Sequence, residues 1–353
     1  MQAGQYLTET RGFSAPEARI CYQRLESLCS LLNRPRLLHT ALMGQWRYSL
    51  VTEKVTATMQ IAKQIYSLAQ GQNDSALIIE ACGALASPLY FLGDFEGARQ
   101  YARQGVQIWR AEGVQSQVGE AWHAVGCLFL EALLDWHFGE ISSCQPTMAE
   151  AISLAKELNN MQALAHALWH AGWLAYFERN PAEVERLASD LSELSTRLNF
   201  EPFLQRAAIL RGWARSASGN TADGISWIED GIEDYRATAS ILDMPFLLAL
   251  KAEAFHLADR TGEALEAIRE AEALVERFEN RYWCAELHRL RGVFLTAMDA
   301  DEAQIEASFQ AAINTAREQK SISLRKRAEA TYTEYRRQKP SGSGRRGFRL
   351  PIC

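Results

Sequence analysis

Apolar residues return along this chain every three to four positions and almost nowhere every second. Trp283, Leu287, Leu290 and Phe294 form one stripe, and Ala264, Ile268, Ala271, Val275 and Phe278 form another just before it. Ile20, Leu25, Leu28 and Leu31 form a third near the start. Such stripes predict amphipathic helices with one buried face. No alternating β-branched run bounded by turns occurs, so strands are not expected. The pattern and its turns predict helices at about 14–32, 36–51, 53–70, 74–92, 95–110, 117–137 and 143–159. Pairs then follow at about 161–178 with 181–198, 202–217 with 221–238, 244–258 with 261–279 and 281–297 with 302–319, and a last helix near 321–337.

A longer period overlies the helical one. Gly172, Gly212, Ala252 and Gly292 fall 40 residues apart, each inside an apolar helical phrase. A fixed period of that size marks a solenoid, in which one helix pair cannot bury its apolar face without its neighbours. A Gly or Ala at the same point of each repeat lets the two backbones of a pair approach closely. The expected fold is therefore all-α, a right-handed superhelix of antiparallel helix pairs. Gly126 lies 46 residues before Gly172, so the register slips around Ala111 to Gln117. The array divides into a less regular part, 14–142, and a regular part, 143–337. Residues 1–13 read as a flexible lead-in, ended by a helix start at Ser14-Ala-Pro-Glu17 with Ser14 as the cap. Residues 338–353, with Pro340-Ser-Gly-Ser-Gly, read as a flexible tail, and nine basic residues lie between Arg325 and the end.

Composition narrows the function. The chain has 353 residues, 48% hydrophobic and 23% charged, with a net charge of −6, which argues against a general nucleic-acid binder. Its seven cysteines form no CxxC pair and lack zinc-type spacing, which fits buried, reduced thiols. The start has no signal-peptide character and no run of about 18 apolar residues stands out, so a cytoplasmic protein is expected. His166 and His170 lie four apart on one helix, but no HExxH phrase or third ligand accompanies them. Neither a GxxxxGK[ST] phosphate loop nor a GxSxG phrase occurs. No cofactor, metal or enzymatic activity is expected. Trp122, Trp136, Trp169, Trp173, Trp213 and Trp283 concentrate in the first helices of pairs, where they serve as core or as anchors for a partner.

The phrases GFSAPEARICYQRLESLC, YFLGDFEGARQYARQGVQIW, AAILRGWARSASG and RYWCAELHRLRG carry a resemblance. The chain resembles the tetratricopeptide-type array at the C-terminus of large bacterial adenylate/guanylate cyclase and AAA-type ATPase signalling proteins. The likeness covers about 11–337 and is strongest from Arg206 to Ala330. It implies a tetratricopeptide-like scaffold without the cyclase and ATPase domains, which binds a protein or peptide segment in a concave groove. Carried onto this sequence, the groove positions are His166, Trp169, Trp173 and Tyr176 around Gly172, and Arg206, Trp213 and Ser216 around Gly212. Glu253 and His256 around Ala252, and Glu286 and Arg289 around Gly292, complete the set. Two alternatives stay open. One is the regulatory part of an adenylate cyclase whose catalytic domains lie outside this chain. The other is a small-molecule sensor with a cavity lined by Trp169, Trp173 and Trp213. Self-association through the array ends is a further possibility, because terminal repeats need a polar outer face.

Overall fold

A computed structural model describes residues 12–112 and 121–338. Among these residues there are sixteen α-helices and no strand. In chain order they are α1 (Pro16–Leu31), α2 (Pro35–Thr52), α3 (Val55–Gln72), α4 (Ser75–Leu92), α5 (Phe95–Glu112), α6 (Ala121–His137), α7 (Ile141–Glu157) and α8 (Met161–Phe177). They continue as α9 (Pro181–Leu198), α10 (Glu201–Ala217), α11 (Thr221–Ala237), α12 (Met244–Leu257), α13 (Thr261–Phe278), α14 (Cys284–Ala297), α15 (Glu302–Glu318) and α16 (Ile322–Gln338). Each even-numbered helix from α2 to α14 packs against the odd-numbered helix that follows it, and successive even-numbered helices also touch one another as an inner layer.

The turns keep a stricter beat than the helices. Gly139, Asn159, Arg179, Asn199, Gly219, Ala239, Asp259, Glu279 and Asp299 all have positive φ, one every 20 residues. Each ends a helix, and many of the turns are closed by a six-to-one bond, such as Asn180 N–H to the Ala175 carbonyl at 3.0 Å and Arg260 N–H to Phe255 at 2.9 Å. Two such half-periods make the 40-residue repeat. Of the repeated glycines Gly212 acts as expected, at a point where two backbones meet, whereas a Cβ on Gly292 would meet the Phe309 ring at 2.7 Å. A Cβ on Gly212 would stand 2.6 Å from the Gly224 carbonyl oxygen, on the partner helix of the pair. At Gly172 the neighbour is Leu210 of the next inner helix, so there the small residue serves inter-repeat packing.

The array coils until it meets itself. Ile241 N–H donates to the Val51 carbonyl at 2.8 Å, and Arg281 and Tyr282 N–H donate to that of Phe91 at 2.7 and 3.1 Å. His137 Nδ1 meets Ser321 Oγ at 2.9 Å, 184 residues on. Thus the junctions before α12, α14 and α16 dock on the C-terminal ends of α2, α4 and α6. The interior between them is filled by rings: Trp173 stacks on Tyr282 with centroids 5.4 Å apart, and Phe177 on Trp283 at 4.7 Å.

Several expectations need correction at the N-terminal end. Three of the four residues in the stripe assigned to α1 face outward, Ile20, Leu28 and Leu31, with Leu31 83% exposed. The packed face is Ala18, Tyr22, Leu25 and Cys29, because Gly44 on α2 leaves a hollow that the Tyr22 ring fills. Ala15, not Ser14, caps α1, and Ser14 Oγ instead donates to the Thr238 carbonyl. Against the expectation that no run of about 18 apolar residues stands out, one helix among the described residues, α4, is long and apolar enough to cross a membrane. It packs between α3, α5 and α6 and buries Ile79, Leu85, Tyr90 and Phe91. The rest of the lead-in, most of the 111–117 linker and nearly all of the basic tail lie outside the described residues.

Candidate functional site

The inner layer does not close evenly. In the N-terminal half it leaves a cavity of about 540 Å³. The walls come from α2, α4, α6, α8 and the start of α10, with the 238–243 junction at one end. The hollow persists because the inner helices carry glycines there. A Cβ on Gly126 would meet nothing within 4 Å, and one on Gly83 would meet only Cys127 Sγ at 3.7 Å. The lead-in expected to be flexible also contributes, since Gly12 and Phe13 line the cavity and Ser14 ties that segment to the C-cap of α11.

Most of the lining is apolar and aromatic, including Trp46, Leu50, Phe91, Trp122 and Phe129. Trp46 Nε1–H donates to the Ala84 carbonyl at 3.0 Å, so the indole satisfies its polar atom within the wall. Arg206 is held on one side. Its Nε donates to Asp243 at 2.8 Å, a terminal nitrogen donates to the Pro202 carbonyl at 2.9 Å, and its guanidinium lies 5.0 Å from the Tyr235 ring centre. Arg47 stands on α2, and burial depresses its pKa while Glu80 pulls it back up. Glu80 itself receives His123 Nε2 at 2.8 Å and lies 3.2 Å from His39 Nδ1. Burial would raise the Glu80 carboxyl, but these partners and Arg47 hold it down at about 2.

His166 and His170 both face the cavity. His170 Nδ1 lies 2.8 Å from the His166 carbonyl, and its ring stacks on Phe129 at 4.0 Å. Burial lowers both pKa values, to about 4 for His170 and well below the ordinary range for His166, so both rings are neutral near pH 7. Among the described residues no three His, Cys, Asp or Glu side chains gather as a metal site. Burial pushes the thiols of Cys82 and Cys284 up to about 12 and that of Cys144 to about 11, which keeps them protonated and poorly nucleophilic.

Of the groove candidates, the cavity gathers only His166, Trp169 and Arg206. Trp173, Tyr176, Trp213, Glu253 and Arg289 are all buried in the C-terminal interior, with Glu286. There they bind one another. Glu253 accepts from Tyr176 Oη at 2.6 Å, Trp213 Nε1 at 2.8 Å and Arg179 at 2.8 Å. Glu286 pairs with Arg179 at 2.5 Å, Arg289 at 2.8 Å and Arg327 at 3.4 Å. Burial works against that carboxylate, but Arg289, Arg327 and Arg179 hold its pKa far below the usual range. His256 is half-buried, with Nδ1 3.0 Å from Thr261 Oγ1. Ser216 donates to the Gly212 carbonyl at 2.9 Å, inside a helix pair. Most of the groove expected between His166 and Arg289 is thus occupied by the array's own side chains. The cavity imagined between Trp169, Trp173 and Trp213 is displaced towards Trp46 and Trp122.

No family model matches the chain. A curated relative, an uncharacterized protein of Rhizobium meliloti (strain 1021), is 20% identical over 335 residues. That match covers 94% of this chain but 32% of the relative, so the chain spans about a third of the relative's length. Among solved structures, the Rap protein complexed with Competence and Sporulation Factor aligns with a TM-score of 0.63 at 11% identity, covering 95% of this chain and 94% of that one. NprR in complex with its cognate peptide NprX aligns at 0.57 and 10% identity, over 86% and 85%. The fold is a tetratricopeptide-like helical array. The Rap conjugation gene regulator of the plasmid pLS20, in complex with the Phr* peptide, has the same architecture, with a TM-score of 0.55 at 10% identity over 95% and 93%.

Proposed function

We propose that this array is a non-enzymatic scaffold that binds a short peptide or polypeptide segment in its N-terminal inner cavity. The observation that carries the reading is the cavity of about 540 Å³, kept open by Gly83 and Gly126 and walled by aromatic rings. That volume lies within the roughly 300–1,000 Å³ that ligand sites occupy. NprR and the Rap regulator of pLS20, arrays of the same fold, hold peptides, which favours a peptide over a compact metabolite.

The test is a plug. A Phe at position 126 projects into empty space, so Gly126→Phe fills the cavity without a clash at its Cβ. Peptides selected from a random library against the wild-type chain should lose binding to the plugged variant by at least ~10-fold, with unfolding midpoints unchanged. Equal affinity for both proteins, or a library that yields no binder, would sink the reading.

We also infer that the array is the repeat region of a longer signalling protein. The relative's threefold greater length favours this, and the cyclase/ATPase context rests on the sequence phrases alone. An immunoblot of native cell extract with antibody to this chain tests it. A band near 39.6 kDa alone would contradict it.

A further inference from the structure

The cavity's charges are unevenly committed. Arg206 is committed to Asp243 and the Pro202 carbonyl. His123 gives Nε2 to Glu80, and His166 and His170 are buried and neutral. Arg47 is different. Among the described residues no hydrogen bond or ion pair holds its guanidinium. The carboxylate nearest in influence, Glu80, is engaged by His39 and His123. A guanidinium carries five N–H donors, and leaving it in a low-dielectric cavity without a counter-ion is costly.

We propose that the cavity's occupant is a short apolar peptide that presents a carboxylate to Arg47. This rests on the reading of the cavity as a peptide site. The planar guanidinium meets a carboxylate through two parallel N–H···O bonds, which fixes the ligand's orientation as well as its charge. The apolar body of the peptide packs on Trp46, Trp122 and Phe129, which together with Arg47 line the same hollow. Across the cavity, on α8, His166 Nε2 is buried with no partner among the described residues, and the Arg47 charge reaches it. That nitrogen supplies a second polar point, suited to a backbone amide of the same peptide. One cation, one neutral polar atom and an aromatic wall select against cationic peptides as well as for acidic ones.

The full chain would be titrated calorimetrically with N-acetyl-Phe-Leu-Phe as the free acid and as its carboxamide, and with N-acetyl-Phe-Asp-Phe carboxamide. Wild type is expected to bind the free acid at least ~10-fold more tightly than the uncharged amide. In Arg47→Gln that advantage should vanish, with the amide's affinity unchanged. Arg47→Lys, which keeps the charge but not the fork, should retain part of it, and this variant serves if the glutamine substitution impairs folding. Binding of the Asp peptide at the strength of the free acid assigns the carboxylate to a side chain, and weaker binding assigns it to a chain terminus. Equal affinities for acid and amide in wild type, or an advantage that survives in Arg47→Gln, would overturn the carboxylate assignment and leave the cavity reading standing. Failure of wild type to bind either form would overturn both.

Discussion

The two halves of the inner layer are built from the same repeat and end in opposite states. From Trp173 onward the interior is closed by stacked rings and by Glu253 and Glu286 among three arginines. Before it, between α2 and α8, the same inner faces leave a cavity with glycines at its wall and the Arg47 guanidinium, which no described residue pairs. Chemistry that sequence reasoning assigns to a binding groove is spent in the second half on holding the coil shut. A charged residue on an inner helix face is thus a binding group only where the superhelix leaves it uncompensated.

The largest expected effect breaks the closed half. Glu286→Ala leaves Arg179, Arg289 and Arg327 without one of their buried counter-ions, and the chain should lose about 3–5 kcal/mol of stability. Urea unfolding measures this. Arg47→Gln, in the open half, removes a charge without a counter-ion and should not lower the midpoint, and a comparable loss there would erase the contrast.

Acid should act mainly through buried histidines. His137, at the seam between α6 and α16, has its pKa lowered to about 3 by burial and by Arg327, and that of His170 is lowered to about 4. Folded, these rings stay neutral down to those values, whereas unfolded they take a proton near pH 6.5. Stability is therefore constant above about pH 6.5 and falls as pH drops below it, by about 2 kcal/mol for His137 at pH 5. Unfolding midpoints measured between pH 7.5 and 5 should show that slope, and His137→Gln should flatten it. A slope unchanged in the variant would remove His137 from the account.

Two glycines give the smallest and sharpest comparison. Gly212→Ala forces a Cβ to 2.6 Å from a backbone oxygen and should destabilise by about 1–3 kcal/mol. Gly126→Ala adds a methyl to open space in a helix and should stabilise by about 0.5–1 kcal/mol. Thermal melts of both decide it, and a destabilised Gly126→Ala would mean that the cavity is narrower than described.

Much of the architecture was legible in the sequence because it is local. The 40-residue period, the helix faces of α13 and α14 and the tight crossing at Gly212 each depend on residues within one repeat. The 20-residue beat of left-handed turns is only half visible. Asn159, Asn199 and Gly219 suit that conformation, whereas Arg179, Ala239 and Glu279 do not advertise it. The site was mostly hidden. Whether Trp173 lines a groove or fills a core depends on where Tyr282 returns after a full coil, and no local pattern encodes that. One signal was present: Arg47 interrupts the inner apolar stripe of Met43, Trp46 and Leu50, in the irregular half to which the groove positions were not extended.

The central claim is that the open N-terminal half is where a ligand enters. Hydroxyl-radical footprinting of the chain with and without a library-selected peptide reads this at individual tryptophans. Protection is predicted at Trp122, the half-buried tryptophan of the cavity wall, with Trp46, Trp173, Trp213 and Trp283 unchanged because they are buried already. Protection at Trp227, in the shallow outer hollow between α10 and α11, with Trp122 left as reactive as before, would contradict it.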